Sequence, residues 1–305
     1  MPVDILMATF NGEKYIRNQL LSLQAQTYGD WLLWVRDDGS TDRTTAIVDE
    51  FAARDPRIKR VPSPLARLGP GKNFLGLLER ASCELVAFCD QDDIWFERKL
   101  ELLVKFAEDR FDNTVPCLAY CDGHAYSDAE GVITSSFVSY LHAKNLREFL
   151  FFNAGYQGCF LLINSCLARM ARDYDEPFYM HDDIVSLMAH VFGKVYFLPK
   201  ALVLYRQHGQ NVTLPAARSQ LQIMRRFFRS DAHVISRTHY EEKLYFYKHF
   251  QSVISPQERA IFQAYFRYPC GSLFERLFII LRHGFSLGGY RIPLMLKTLL
   301  RKPIG

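Results

Sequence analysis

Apolar and polar stretches follow one another along the first hundred residues in a repeating order. Residues 3–9 form an apolar, partly β-branched run of strand length, Asn11-Gly12 turns the chain, and residues 15–23 carry apolar side chains at helical spacing. The order recurs. Residues 31–35 are a short apolar run, Asp37-Asp38-Gly39-Ser40 breaks it, and residues 44–53 read as a helix. Residues 58–61 predict a third strand, a Pro/Gly-rich loop follows through Gly71, and residues 73–81 are helical. Residues 84–89 and 97–107 predict the fourth strand and its helix. Strands alternating with helices at this spacing predict βαβ units in an α/β fold, with a mainly parallel sheet flanked by helices. Ligands of such sheets bind at the carboxyl ends of the strands.

Beyond residue 115 the alternation blurs, with strands predicted at 116–121 and 159–163 and a short helix at 184–192. The tail is more regular. Ser255-Pro256-Gln257-Glu258 and Ser272-Leu273-Phe274-Glu275 match capping boxes, so helices begin there. Residues 220–229, 240–250 and 291–300 complete the helices of a C-terminal α-helical appendage. The predicted division is an α/β domain at 1–215 and a basic helical region at 216–305.

Composition sharpens this picture. Hydrophobic residues at 49% and charged residues at 23% are those of a globular chain and exclude disorder. Seven cysteines contain no C-x-x-C pair, which argues against a zinc site and for a reduced compartment. The first residues lack the basic-then-apolar pattern of a secretion signal, and no run reaches membrane-spanning length, so the expectation is a cytoplasmic protein. The net charge of +4 is unevenly spread. Residues 216–305 hold 15 Lys and Arg against 5 Asp and Glu, whereas residues 1–215 hold 22 against 28. An acidic body suits a cation that in turn holds phosphates; a basic tail suits an anionic surface.

The acids cluster where strands end. Asp37, Asp38 and Asp42 follow the second strand, Asp90, Asp92 and Asp93 the fourth, and Asp182 and Asp183 precede the 184–192 helix. Capping a helix needs one acid, not three, so the run Asp90-Gln91-Asp92-Asp93 calls for a neutralising cation. Hard oxygen ligands favour Mg²⁺ or Mn²⁺, often shared with substrate phosphates, and a nucleoside diphosphate is the natural partner. Asp37 and Asp38 offer acceptors to a base N–H or a ribose hydroxyl. Ser40 or Asp42 equally caps the next helix.

Together these segments resemble family 2 glycosyltransferases of the GT-A, Rossmann-like fold, over roughly residues 2–212. The resemblance rests on Ala8-Thr9-Phe10-Asn11-Gly12, Asp37-Asp38-Gly39-Ser40-Thr41-Asp42, Leu68-Gly69-Pro70-Gly71-Lys72-Asn73-Phe74, Asp90-Gln91-Asp92-Asp93, His181-Asp182 and Tyr205-Arg206-Gln207-His208-Gly209-Gln210-Asn211. Asp-Gln-Asp-Asp-Ile-Trp with His-Asp and Tyr-Arg-Gln-His is similar to a rhamnosyltransferase-like subgroup that builds bacterial surface polysaccharides, O-antigen among them. The resemblance implies a metal-dependent inverting transfer from a dTDP- or UDP-sugar to a glycan acceptor carried on a lipid. It implies that Thr9, Asn11, Glu13, Asp38, Lys72, Asn73 and Asp90 bind the nucleotide sugar, that Asp92 and His208 hold Mn²⁺ or Mg²⁺, and that Asp182 is the catalytic base. Relatives often carry an aromatic residue after His-Asp; Asp183 stands there instead, which leaves open whether Asp182 or Asp183 faces the acceptor.

Residues 273–282 and 290–302 set Phe, Leu and Ile beside Arg and Lys, as interfacial helices do. They predict either a peripheral membrane contact or packing on the body or a second copy; no nucleic-acid partner is implied. Three other classes compete. A sugar-nucleotide nucleotidyltransferase would need a Gly-rich, Arg-containing first loop in place of Thr9-Phe10-Asn11-Gly12-Glu13. A noncatalytic carbohydrate-binding relative would have lost the acids. A glycoside hydrolase leaves the acids after the second and fourth strands unexplained.

Overall fold

A mostly apolar run makes β1 (Val3–Thr9) an interior strand of the sheet, buried on both faces. Its one charged residue, Asp4, is fully buried and is satisfied by Trp34 Nε1 at 2.8 Å and by the N–H groups of Ser82 and Cys83 at 2.7 Å each. In this computed structural model, which describes residues 1–63, 66–132, 137–139, 141–152, 156–208 and 232–305, the first four strands pair in parallel. They are β1, β2 (Trp31–Asp37), β3 (Ile58–Arg60) and β4 (Leu85–Cys89), connected by α1 (Ile16–Gln24), α2 (Thr44–Ala52) and α3 (Pro70–Leu77).

Beyond β4 the sheet becomes mixed. β8 (Leu161–Asn164) runs antiparallel to both β4 and β6 (Cys117–Ser127), β9 (Lys194–Arg206) parallel to β6, and β5 (Ile94–Trp95) antiparallel to β9. The full order is β3-β2-β1-β4-β8-β6-β9-β5, with β7 (Gly131–Val132) on β6. The mainly parallel expectation therefore describes the N-terminal half. A two-residue strand and a 13-residue strand fall outside the lengths that periodicity recognises. β6 and β9 slip register around Asp122 and Gly123. A Cβ on Gly123 would lie 2.6 Å from the Val203 carbonyl, so only glycine allows that approach.

α4 (Lys99–Glu108), α5 (Leu146–Phe149), α6 (Ser165–Arg172) and α7 (His181–Phe192) cover the sheet. The C-terminal helices are α8 (Arg237–Phe250), α9 (Pro256–Arg267), α10 (Leu273–His283) and α11 (Arg291–Leu300). Both expected capping boxes form, Ser255 with Glu258 and Ser272 with Glu275. β10 (His233–Ile235) and β11 (Lys302–Ile304) pair in parallel and tie the two ends of this region. These helices do not form a separate core. Phe246, Phe262 and Tyr265 are fully buried in the same cluster as the sheet, and Phe250 stacks on Tyr174 at 5.9 Å. The expected helix at 220–229 and the boundary at residue 215 lie outside the described residues.

Candidate active site

The carboxyl ends of β1, β2 and β4 open on a cleft of about 420 Å³. Thr9, Asn11, Asp38, Asn73, Asp90, Asp92, Asp182 and His208 all line it. These residues come from segments up to two hundred positions apart. Gln91 locks the loops after β1 and β4 together: its amide accepts from Phe10 N and donates to Phe10 O, both at 3.0 Å. A Cβ on Gly12 would lie 2.2 Å from Gln91 Oε1, so the glycine is what admits this amide.

Several expected contacts are spent on the scaffold. Asp37 accepts from Thr9 Oγ1 at 2.9 Å, Gly39 N at 3.0 Å and Ser40 N at 2.7 Å, which makes it a turn-former rather than a base reader. Asn11, the one non-glycine residue with positive φ among those described, accepts from Thr41 N at 2.9 Å. Asp38 receives the N–H groups of Leu68 and Gly69, each at 2.8 Å, and so pins the loop before α3 at the cleft wall. Asn73 is buried and pairs with Arg36, Oδ1 to Nε at 2.6 Å.

Two of the residues expected at the nucleotide site lie outside the cleft lining. Glu13 does not line the cleft, because its carboxylate accepts from Arg43 N at 2.9 Å at the start of α2. Lys72 is exposed and lies outside the cleft lining, since the turn of α3 that buries Gly71 and Asn73 leaves position 72 outward. The basic residue at the wall is Arg67, stacked on the Phe10 ring at 3.5 Å and 3.8 Å from Asp38 Oδ2. Sequence reasoning missed it. The available signal was a cation inside the Pro/Gly-rich loop after β3.

The acids after β4 divide by direction. Asp92 Oδ2 meets His208 Nε2 at 2.7 Å, and His208 stacks on Tyr15 at 4.8 Å. Asp93 points inward, is 1% exposed, and accepts Arg206 N at 2.9 Å. Arg206 is itself buried, donates from Nε to the Asp92 carbonyl at 2.5 Å and pairs with Asp128. Below them lies Lys99, fully buried, its Nζ on the Cys159 carbonyl and 3.1 Å from the Trp95 ring centre. Burial, then the charges of Asp92 and Asp90, push the Asp93 carboxyl well above the carboxylate range. Loss of solvent, then Asp92 and Asp182, push Asp90 up to about 7. Lys99 opposes part of the repulsion at Asp90, while burial lowers Lys99 from its own ordinary value.

A second acidic group, Asp90, Asp93 and Cys159, brings its donor atoms within 4.8 Å of one another. It suits a cation less well than Asp92 with His208. The Cys159 thiol is held protonated by burial and by the neighbouring Asp93 and Asp90, and Lys99 already lies against the trio. Asp92 and His208 offer a carboxylate and an imidazole at the cleft wall, a donor pair able to ligate a divalent cation.

The two acids of α7 point in different directions. Asp182 lines the cleft, Oδ2 accepting Gly158 N at 3.1 Å, whereas Asp183 turns away to His239 Nε2 at 3.0 Å. Burial and the adjacent Asp183 raise the Asp182 carboxyl well above its ordinary range, which increases its proton affinity. His181 is 2% exposed and stacks on Phe74 at 4.0 Å; burial lowers it to about 3, so it is neutral. A Cβ on Gly158 would meet its Nε2 at 2.5 Å, so the neutral ring seats the glycine whose N–H holds Asp182.

α8 braces this segment from behind. Besides His239, Glu242 Oε2 accepts Tyr179 N at 2.8 Å, and burial followed by Asp183 raises Glu242 to about 8. His239→Ala is expected to lower turnover about tenfold, the worth of one positioning hydrogen bond of about 1.4 kcal/mol. Nucleotide affinity stays unchanged, because His239 is absent from the cleft lining. Steady-state rates beside a nucleotide titration check both halves.

The glycosyl transferase family 2 profile matches residues 4–176. The chain is 28% identical over 246 residues to the dTDP-rhamnosyl transferase RfbG of Shigella flexneri, covering 72% of this chain and 79% of that protein. It is 25% identical over 225 residues to the GalNAc(5)-diNAcBac-PP-undecaprenol beta-1,3-glucosyltransferase of Campylobacter jejuni, covering 72% and 70%. Among solved structures, S. aureus TarS 1–349 in complex with UDP-GlcNAc superposes with a TM-score of 0.57 at 17% identity, covering 96% of this chain and 90% of that one. That likeness is one of fold. Of a longer TarS chain this protein spans 37%.

Proposed function

The chain belongs to glycosyl transferase family 2 and is a glycosyltransferase; on that premise we propose that it moves a sugar from a dTDP- or UDP-sugar to a lipid-linked glycan, with Asp182 as base. The observation that carries this reading is the convergence of Asp38, Asp90, Asp92, Asp182 and His208 on one cleft. Thr9, Asn11 and Asn73 shape the nucleotide side, and Arg67 takes the place expected of Lys72 beside the donor phosphates. The acceptor hydroxyl oxygen bonds to the anomeric carbon as the bond from that carbon to phosphate oxygen breaks. Its electron pair leaves with the nucleoside diphosphate, and the hydroxyl proton passes to Asp182. One such displacement inverts the anomeric centre. Mn²⁺ or Mg²⁺ held by Asp92 and His208 would stabilise the charge of the departing diphosphate.

Rhamnose is the proposed sugar, because RfbG is named a dTDP-rhamnosyl transferase. A lipid-linked acceptor is proposed because the Campylobacter relative is named for an undecaprenol diphosphate substrate. The product would be a bacterial surface polysaccharide, assembled at the cytoplasmic face of the membrane. Nucleoside diphosphate release measured with UDP-, dTDP- and GDP-sugars in Mn²⁺ is expected with dTDP-rhamnose. Release with none of them, and no rise in melting temperature with any, contradicts the reading.

A further inference from the structure

α10 and α11 pack side by side, and each leaves an apolar stripe in water. On α10 it is Phe274, Phe278 and Leu281; on α11 it is Ile292, Leu296 and Leu299, the same i, i+4, i+7 spacing on both helices. Phe274 is 84% exposed, Phe278 65% and Ile292 70%. The opposite sides of these helices are anchored. Ile279, Ile280 and Leu294 are buried, and Phe285, just past α10, packs on Phe151 at 5.0 Å. Exposed stripes on well-anchored helices mark a contact surface.

Charge decides what it contacts. Residues 271–305 carry six Arg and Lys against one acid, Glu275, which is spent on its capping box. A second copy docking by two-fold symmetry would set positive against positive. No helix among the described residues is long and apolar enough to cross a membrane, so a lipid contact here lies along the surface. We propose that the paired stripes of α10 and α11 insert into the outer layer of an anionic bilayer, with Arg282, Arg291 and Lys302 on its headgroups.

The surface is tied to the site. Arg147 Nε on α5 donates to the His283 carbonyl at 3.0 Å, and α5 packs on α7, which carries Asp182. The purpose of the contact rests on the lipid-linked acceptor proposed above; the contact itself is measured without any transfer. The experiment is flotation of the full chain with phosphatidylcholine vesicles, with and without phosphatidylglycerol, at low and high salt. The wild-type protein is expected to float with phosphatidylglycerol vesicles at low salt and to be released by salt. Phe278→Glu with Ile292→Glu is expected to weaken binding at least about tenfold, and Arg282→Glu with Lys302→Glu to abolish the preference for anionic lipid. Unchanged UDP or dTDP binding by both variants shows that they fold. Absence of flotation, or flotation unaffected by Phe278→Glu with Ile292→Glu, overturns the proposal, as does a wild-type dimer that this variant converts to a monomer. Failure of flotation in a protein that still glycosylates a lipid-linked acceptor defeats the docking surface alone.

Discussion

Asp182→Asn is expected to lower turnover by about 10²–10⁴-fold while leaving affinity for the nucleoside diphosphate unchanged. Asparagine keeps the size of the side chain and its acceptor toward Gly158 N–H, and removes only the capacity to take a proton. The pH dependence carries the same information. A base acts when deprotonated, so turnover rises with pH through the pKa of Asp182. Burial and Asp183 hold that carboxyl well above its ordinary range, so the acid limb lies higher than an ordinary aspartate would give and disappears in Asp182→Asn. An unshifted acid limb, or near-normal turnover in the variant, removes Asp182 from the role.

Asp92→Ala is expected to abolish the Mn²⁺-dependent part of nucleotide binding. It removes one of the two donors that meet at 2.7 Å at the cleft wall and leaves His208 stacked on Tyr15 without its carboxylate. The predicted loss is at least about a hundredfold in affinity with Mn²⁺ present, at or beyond the upper end of the roughly 10–100-fold that losing an outer-shell partner costs. Calorimetric titration with UDP or dTDP checks this. Equal affinities for wild type and variant in Mn²⁺ reject the ligand assignment.

Strand ends were the most legible part of the site. β1 and β4 are buried on both faces and β2 is half-buried on one, so their apolar runs stand out, and the polar residues that follow them fall on one edge of the parallel half-sheet. Function was less legible where a carboxylate serves the backbone. Asp37 and Glu13 have the composition of ligand-binding residues, yet their oxygens close a turn and the start of α2. Nothing in the order of Asp90, Asp92 and Asp93 distinguishes the one that points inward; that depends on Arg206, more than a hundred residues later. Lys99 was hidden for a similar reason. As the first residue of an amphipathic helix it reads as a solvated charge, and only the fold places it under the acids.

The C-terminal region shows both outcomes of one pattern. Apolar residues interleaved with Arg and Lys recur from α8 to α11, with aromatic ones among them in α8 to α10. In α8 and α9 they enter the common core, and α8 reaches the segment that carries Asp182. In α10 and α11 one stripe of them remains in solvent. Periodicity marks a helix face as apolar but does not say what covers it, because that depends on which helices the chain stacks first.

The central claim is that aspartates from distant segments meet on one diphosphate. Anomalous scattering from crystals soaked with Mn²⁺ and UDP or dTDP tests it most directly. The expected result is one manganese peak between Asp92 and His208, touching diphosphate oxygens, with the base beside Asp38. Manganese at the exposed Asp175, Glu176 and His249 group, or a nucleotide bound away from the cleft, would contradict it.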